Sequence, residues 1–93
     1  MTRKFKNKLT AEIAGGKAVK GLSAEMCRKA MIKIIMVMAA ADLKDLRVPP
    51  SNRLEKLKGD RKEQYSIRVN DQYRICFEWQ NGEASEIEFT DYH

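Results

Sequence analysis

A single histidine, two cysteines and two prolines are all that ninety-three residues hold of the side chains that build most cofactor and metal sites. With His93 alone, a two-imidazole acid–base pair cannot form within one chain, and with only Cys27 and Cys76 beside it there is no ligand set for a zinc cluster. Two cysteines are also too few for a disulfide scaffold. Each sits in an apolar pattern, one helical and one extended, and reads as a reduced structural thiol. No glycine-rich phosphate loop appears. No apolar run reaches the ~18 residues of a membrane span; the longest, 31–41, is broken by Lys33. The first residues lack the uncharged stretch of a signal peptide. A cytoplasmic protein with no cofactor and no membrane partner is expected.

What is present is charge, unevenly spread. Residues 1–33 hold nine Lys or Arg against two Glu, and residues 44–74 hold nine against five acidic groups. Residues 75–93 hold five acidic groups and no Lys or Arg. The net charge is +5, and a basic body of this kind favours a polyanion such as nucleic acid, although a solvated surface gives the same count. The apolar fraction of 43% suffices for one compact core, so residues 1–93 are read as a single domain.

The period of the apolar residues changes halfway along. A short strand is expected around Phe5, and Phe5, Leu9 and Ile13 recur at helical spacing before Gly15-Gly16 ends the element. Ser23 can cap a second helix whose stripe runs through Cys27, Ala30, Met31, Ile34, Met38 and Ala41. The methionines there read as core filler. Asp42 to Leu46 suggests a further helical turn, and Val48-Pro49-Pro50-Ser51-Asn52 a loop. From Tyr65 onward apolar residues alternate. Tyr65, Ile67 and Val69, then Tyr73, Ile75, Phe77 and Trp79, then Ile87 and Phe89 predict a three-stranded antiparallel meander with one apolar face. Asn70-Asp71 and Asn81-Gly82 are its turns. The fold class is therefore α+β, with N-terminal helices packed on a C-terminal antiparallel sheet.

Parity places side chains. If Val69 and Tyr73 face the core, Arg68 lies opposite Arg74 on the other face, where like charges destabilise a sheet unless an anion joins them. Thr90 then falls opposite Arg74, with Tyr92 beyond it. Asp91 and His93 have the other parity and reach that face only if the tail bends after Thr90. The closing Asp91-Tyr92-His93 offers a carboxylate, a phenol and a group titrating near neutrality. Cations that can hold a phosphate thus precede groups that can move a proton, which suggests RNA cleavage.

Three stretches, Leu57-Lys58-Gly59-Asp60-Arg61, 65–75 from Tyr65 through Arg68 and Arg74, and Asp91-Tyr92-His93, strongly resemble the HigB toxins of the RelE/ParE superfamily, also called plasmid maintenance killer proteins. The resemblance covers essentially the whole chain. It implies a compact microbial-ribonuclease-like fold and ribosome-dependent mRNA cleavage in the decoding site. The implied partners are the 70S ribosome with mRNA, a HigA-like helix-turn-helix antitoxin and, through that antitoxin, operator DNA. Carried over by motif, Lys58, Arg74, Asp91, Tyr92 and His93 form the catalytic set. One departure stands out: some relatives carry a histidine three residues before the motif lysine, where this chain has Glu55, so a mechanism relying on that histidine cannot operate here.

Metal-free RNA cleavage needs the 2′-OH deprotonated, the phosphorane stabilised and the 5′ oxygen protonated. Arg74 and Lys58 are assigned to the phosphorane, Asp91 or His93 to proton removal, and Tyr92 to stacking on a base. The leaving-group acid stays open between Lys58, Tyr92 and a ribosomal group. Arg68, Arg61, Lys6 and Lys8 are expected to contact RNA. Against these stand plainer readings: Arg74 as half of a surface ion pair with Glu86 or Glu88, Lys58 as a solvated loop lysine, and Tyr92 and His93 as an ordinary chain end. The alternative function is non-catalytic inhibition of DNA gyrase, as in ParE relatives that share the fold.

Overall fold

The computed structural model describes residues 3–58 and 63–91. Helix α1 (Lys8–Ala14) starts where Asn7 caps it, its side-chain oxygen accepting from the Thr10 amide at 2.9 Å and the Thr10 hydroxyl at 2.6 Å. Thr10 is fully buried, and its hydroxyl in turn accepts from the Phe89 amide at 2.9 Å, which pins the helix to the sheet. The buried face is therefore Thr10 and Ile13. The expected stripe through Phe5 and Leu9 is corrected: Phe5 lies before the cap and Leu9 is exposed. Phe5 instead makes a single parallel bridge to Ile87, which is what remains of the expected first strand.

Helix α2 (Ala24–Ala39) begins at Ser23, whose hydroxyl accepts from the Met26 amide at 3.0 Å. Glu25 in the first turn complements the positive end of the dipole. Its inward line is Ala30, Ile34 and Val37. Met38, expected inside, is 41% exposed, and Ala41 is also outside. A 3-10 turn (Leu43–Arg47), closed by the reciprocal caps of Asp42 and Asp45, and a second one (Pro50–Asn52) lead into the sheet. Among the described residues no helix is long and apolar enough to cross a membrane.

The sheet has four strands rather than the expected three: β1 (Glu55–Lys56), β2 (Gln64–Arg68), β3 (Tyr73–Gln80) and β4 (Glu83–Asp91), antiparallel and in sequence order. Two residues show no alternation, so β1 could not be read from the sequence. The register agrees with the parity argument at the end nearest the first hairpin, where Arg68 faces Arg74 and Arg74 faces Thr90. It slips by one residue farther along, between Cys76 and Glu78, so that Trp79 pairs with Ala84. Glu86, at φ 49°, is in the left-handed region at this irregularity. There the Glu86 amide donates to the Arg3 carbonyl at 2.7 Å and the Ile87 amide to that of Lys4 at 3.0 Å. The β3–β4 turn has Asn81 and Gly82 both at positive φ, as the twist of a tight hairpin requires. Ile67, Ile75, Phe77, Ile87 and Phe89 close the core against Ile13, Ala30, Ile34 and Val37.

Candidate functional site

The helices cover one face of the sheet, and the other carries Ser66 and Arg68 from β2, Arg74 and Cys76 from β3, and Glu88 and Thr90 from β4. Arg74 is the best-fixed cation there. Its side chain is only 12% exposed. The Nε donates to the Ser66 hydroxyl at 2.8 Å, and Nη2 donates to the Arg53 carbonyl at 2.7 Å and the Ser66 carbonyl at 3.4 Å. Arg53 can offer its carbonyl because it ends the 3-10 turn in the left-handed conformation, at φ 46°. Neutral acceptors thus fix the guanidinium, and among the described residues one carboxylate oxygen, of Glu55, lies 4.0 Å from Nη2. The Nη1 group makes no hydrogen bond among the described residues.

The expected pairing of Arg74 with Glu86 or Glu88 is corrected. Glu86 takes Arg3, with Nη2 to Oε2 at 3.1 Å, and Glu88 takes Lys6 at 3.6 Å. Both acidic residues lie on the strand edge where the N-terminal segment docks, so they meet its cations first. The Arg3 guanidinium, by hydrogen bonding above all, holds the Glu86 carboxyl below its usual range. Of the residues expected to contact RNA, Lys6 is therefore partly neutralised, and Arg68, half-buried, is ion-paired with Asp71 in the adjoining turn. Lys8 is exposed at the start of α1.

Lys58 follows the end of β1, and Asp91 ends β4. Lys58 is exposed, just past Leu57, whose amide donates to the Gln64 carbonyl at 2.8 Å. That sets Lys58 level with Glu63, three residues along the strand direction from Ser66, where the Arg74 guanidinium is held, roughly 10 Å of backbone at ~3.3 Å per residue. Asp91 still belongs to β4 and pairs with Tyr73, so the chain has not bent after Thr90. It lines a shallow cleft of about 320 Å³ with Leu9, Leu22, Tyr73 and Phe89, on the helix side of the sheet. The Gln72 side-chain amide donates to it at 3.1 Å. Arg61, Tyr92 and His93 lie outside the described residues, as do Gly59 and Asp60 of the Lys-Gly-Asp motif.

Three contributors were missed by sequence reasoning. Ser66 was within reach, since the register that set Arg68 against Arg74 also puts Ser66 on that face. Glu55 could be noted only as a departure from relatives, because β1 was not foreseen. The Arg53 carbonyl carries no side-chain signal at all. No group of three or more His, Cys, Asp or Glu among the described residues is arranged to hold a metal ion.

This layout, two helices on a four-stranded antiparallel sheet with an anchored arginine on the face away from the helices, is consistent with the compact α+β fold of RelE-like toxins. The chain belongs to the HigB-like toxin family, described as the RelE-like toxin of type II toxin–antitoxin system HigB, whose family model matches residues 3–93. Over 52 residues, 56% of this chain, it is 50% identical to Toxin HigB-1 of Vibrio cholerae serotype O1. Over 55 residues it is 42% identical to an uncharacterized protein of Haemophilus influenzae. The matched stretches span about half the length of these curated relatives, 55% and 54% respectively.

Proposed function

We propose that this protein acts as a ribosome-dependent mRNA endoribonuclease that cuts in the decoding site and stops translation, and that a HigA-like helix-turn-helix antitoxin neutralises it. The observation that carries the reading is Arg74: a guanidinium held by neutral acceptors on the sheet face away from the helices. Such a group binds the scissile phosphate and stabilises the added charge of the phosphorane, where one well-placed donor contributes roughly 3–4 kcal/mol. The reaction is attack of the 2′-OH on the adjacent phosphate, which leaves a 2′,3′-cyclic phosphate and a 5′-OH. Lys58 serves the same strand of RNA from the end of β1, and Arg61, Arg68, Lys6 and Lys8 contact backbone phosphates. Tyr92 stacks on a base and His93 stabilises charge or transfers a proton. Asp91, turned to the helix side, is the least suited of the set to act on a phosphate at Arg74. The 70S ribosome supplies the positioned mRNA, and operator DNA is reached through the antitoxin.

The test is primer extension on a defined mRNA in a purified translation system, with wild type, Arg74→Ala and a chain lacking Tyr92 and His93. Cuts made by wild type alone, and only with ribosomes present, are expected. No cuts from any form, together with inhibited supercoiling by DNA gyrase in a parallel assay, would replace this reading with gyrase inhibition.

A further inference from the structure

Lys44, Arg47 and Lys56 line a cavity of about 450 Å³ between the first 3-10 turn and the β1–β2 end of the sheet. It lies on the other side of the sheet from Arg74. Lys56 pairs with Tyr65, which also lines the cavity, whereas the preceding pair, Glu55 and Ser66, turns toward Arg74. The three cations make no ion pair among the described residues. The carboxylate on the wall, that of Asp42, is tied to the turn it caps, accepting from the Lys44 amide at 3.0 Å. Asp45 reciprocates by accepting from the Asp42 amide at 3.1 Å. This capping box fixes the turn on which Lys44 and Arg47 stand. The rest of the lining is aromatic and apolar. Tyr65 is half-buried and backed by Phe77, with ring centroids 6.2 Å apart, and Leu43 and Leu54 complete the wall.

We infer that this cavity binds one phosphorylated nucleotide, free or as a unit of an RNA strand, at a site separate from Arg74. The base lies against the Tyr65 ring and the two leucines, and its phosphate meets Lys44, Arg47 and Lys56. Two observations select this chemistry. Three positive charges stand against one carboxylate, so the cavity favours an anion, and the arginine among them suits a phosphate. A ring supported from behind by a second ring offers a flat apolar surface, on which a base of any sequence stacks. An inorganic anion would use the cations and leave that surface idle. The volume falls within the roughly 300–1,000 Å³ of small-molecule sites. The inference does not depend on the reaction proposed for Arg74, because it concerns the opposite side of the sheet and is read by binding alone.

The experiment titrates the isotope-labelled full chain with adenosine 5′-diphosphate, with inorganic pyrophosphate and with a short adenylate RNA, following backbone amides by NMR. Saturable shifts are expected at residues 42–47, 54–56 and 65, which surround the cavity. A chain carrying both Lys44→Gln and Arg47→Gln should bind the nucleotide at least about tenfold more weakly, through two lost charge-assisted contacts, with its melting temperature unchanged. Tyr65→Leu should weaken the nucleotide and leave pyrophosphate as it was. Saturation by the diphosphate makes a free nucleotide a sufficient ligand; saturation by the RNA alone makes the strand the source, and either supports the site. Shifts confined to other parts of the chain, or pyrophosphate binding as tightly as the nucleotide, would overturn it. So would a Lys44→Gln, Arg47→Gln chain that binds within about threefold of wild type, a result that decides the matter even if Tyr65→Leu does not fold.

Discussion

The Nε of Arg74 donates to the hydroxyl of Ser66 at 2.8 Å, and Ser66 has no exposed surface. Ser66 cannot touch RNA from there. It orients the arginine, a positioning role. Ser66→Ala should leave KM for programmed ribosomes unchanged and lower kcat by roughly tenfold, against at least a hundredfold for Arg74→Ala. Losing the bond should cost about 1 kcal/mol of stability in urea unfolding. Equal kinetic losses from the two variants would mean that Ser66 does more than aim the guanidinium.

Asp91 pairs with Tyr73 at the end of β4 and lines a cleft on the helix side, while Arg74 faces the other way. On the proposed nuclease reading, with the phosphate at Arg74, this placement sets the Asp91 carboxylate on the other side of the sheet from the 2′-OH. On that reading Asp91→Asn should therefore cleave within about tenfold of wild type. A loss of a hundredfold or more in Asp91→Asn would place the base in the tail instead.

How far the sequence led can be judged from particular residues. Alternation from Tyr65 to Phe89 was enough to set Arg68 against Arg74, because strand parity has only two values and a tight hairpin fixes the register. It did not show the slip near Glu86, since an extra residue in a strand leaves no mark on a short alternating pattern. Helical stripes were less definite. Val37 and Met38 differ by one position and both are apolar; the tilt of α2 on the sheet decides between them, and tilt is a tertiary property. The family motif was recognised by residue type, whereas the tether of Arg74 uses backbone carbonyls that no residue type announces.

That tilt gives a direct check. Val37 is completely buried and Met38 is 41% exposed. Val37→Asp buries an unpaired carboxylate and should leave the chain largely unfolded at room temperature. Met38→Asp should melt within a few degrees of wild type. Circular dichroism melts of the two variants decide it, and similar destabilisation of both would mean that the two sides of α2 are equally packed.

Asn52 is a buried polar hub under the second 3-10 turn. Its Nδ2 donates to the Leu46 carbonyl at 3.2 Å and the Val48 carbonyl at 3.3 Å, and its Oδ1 accepts from the Lys33 ammonium. Asn52→Ala removes all of these and leaves the buried Leu46 carbonyl without this partner, at a cost of about 2–3 kcal/mol. Asn52→Asp should do no better, because a carboxylate oxygen would face the same carbonyls. The turn delivers Arg53 to Arg74, so cleavage should weaken along with stability. Urea unfolding and the cleavage assay on the same preparations test both halves.

The clamp between Arg3 and Glu86 makes the N-terminal segment sensitive to acid. Hydrogen bonding from Arg3 is the largest influence and lowers the Glu86 carboxyl below its ordinary 4.5, partial desolvation opposing it. A depressed carboxyl binds fewer protons when folded than when unfolded. Its contribution is therefore present above pH 4.5 and is lost as pH falls through the lower folded value. Glu86→Gln has no such proton to take up. The melting temperature of wild type should exceed that of Glu86→Gln at pH 6, and the gap should close between pH 5 and 3. Salt at 1 M should shrink the gap at pH 6, because exposed charges are screened at that strength. Parallel curves down to pH 3 would show that the carboxylate charge contributes nothing and that the backbone bonds from Glu86 and Ile87 to Arg3 and Lys4 hold the segment alone.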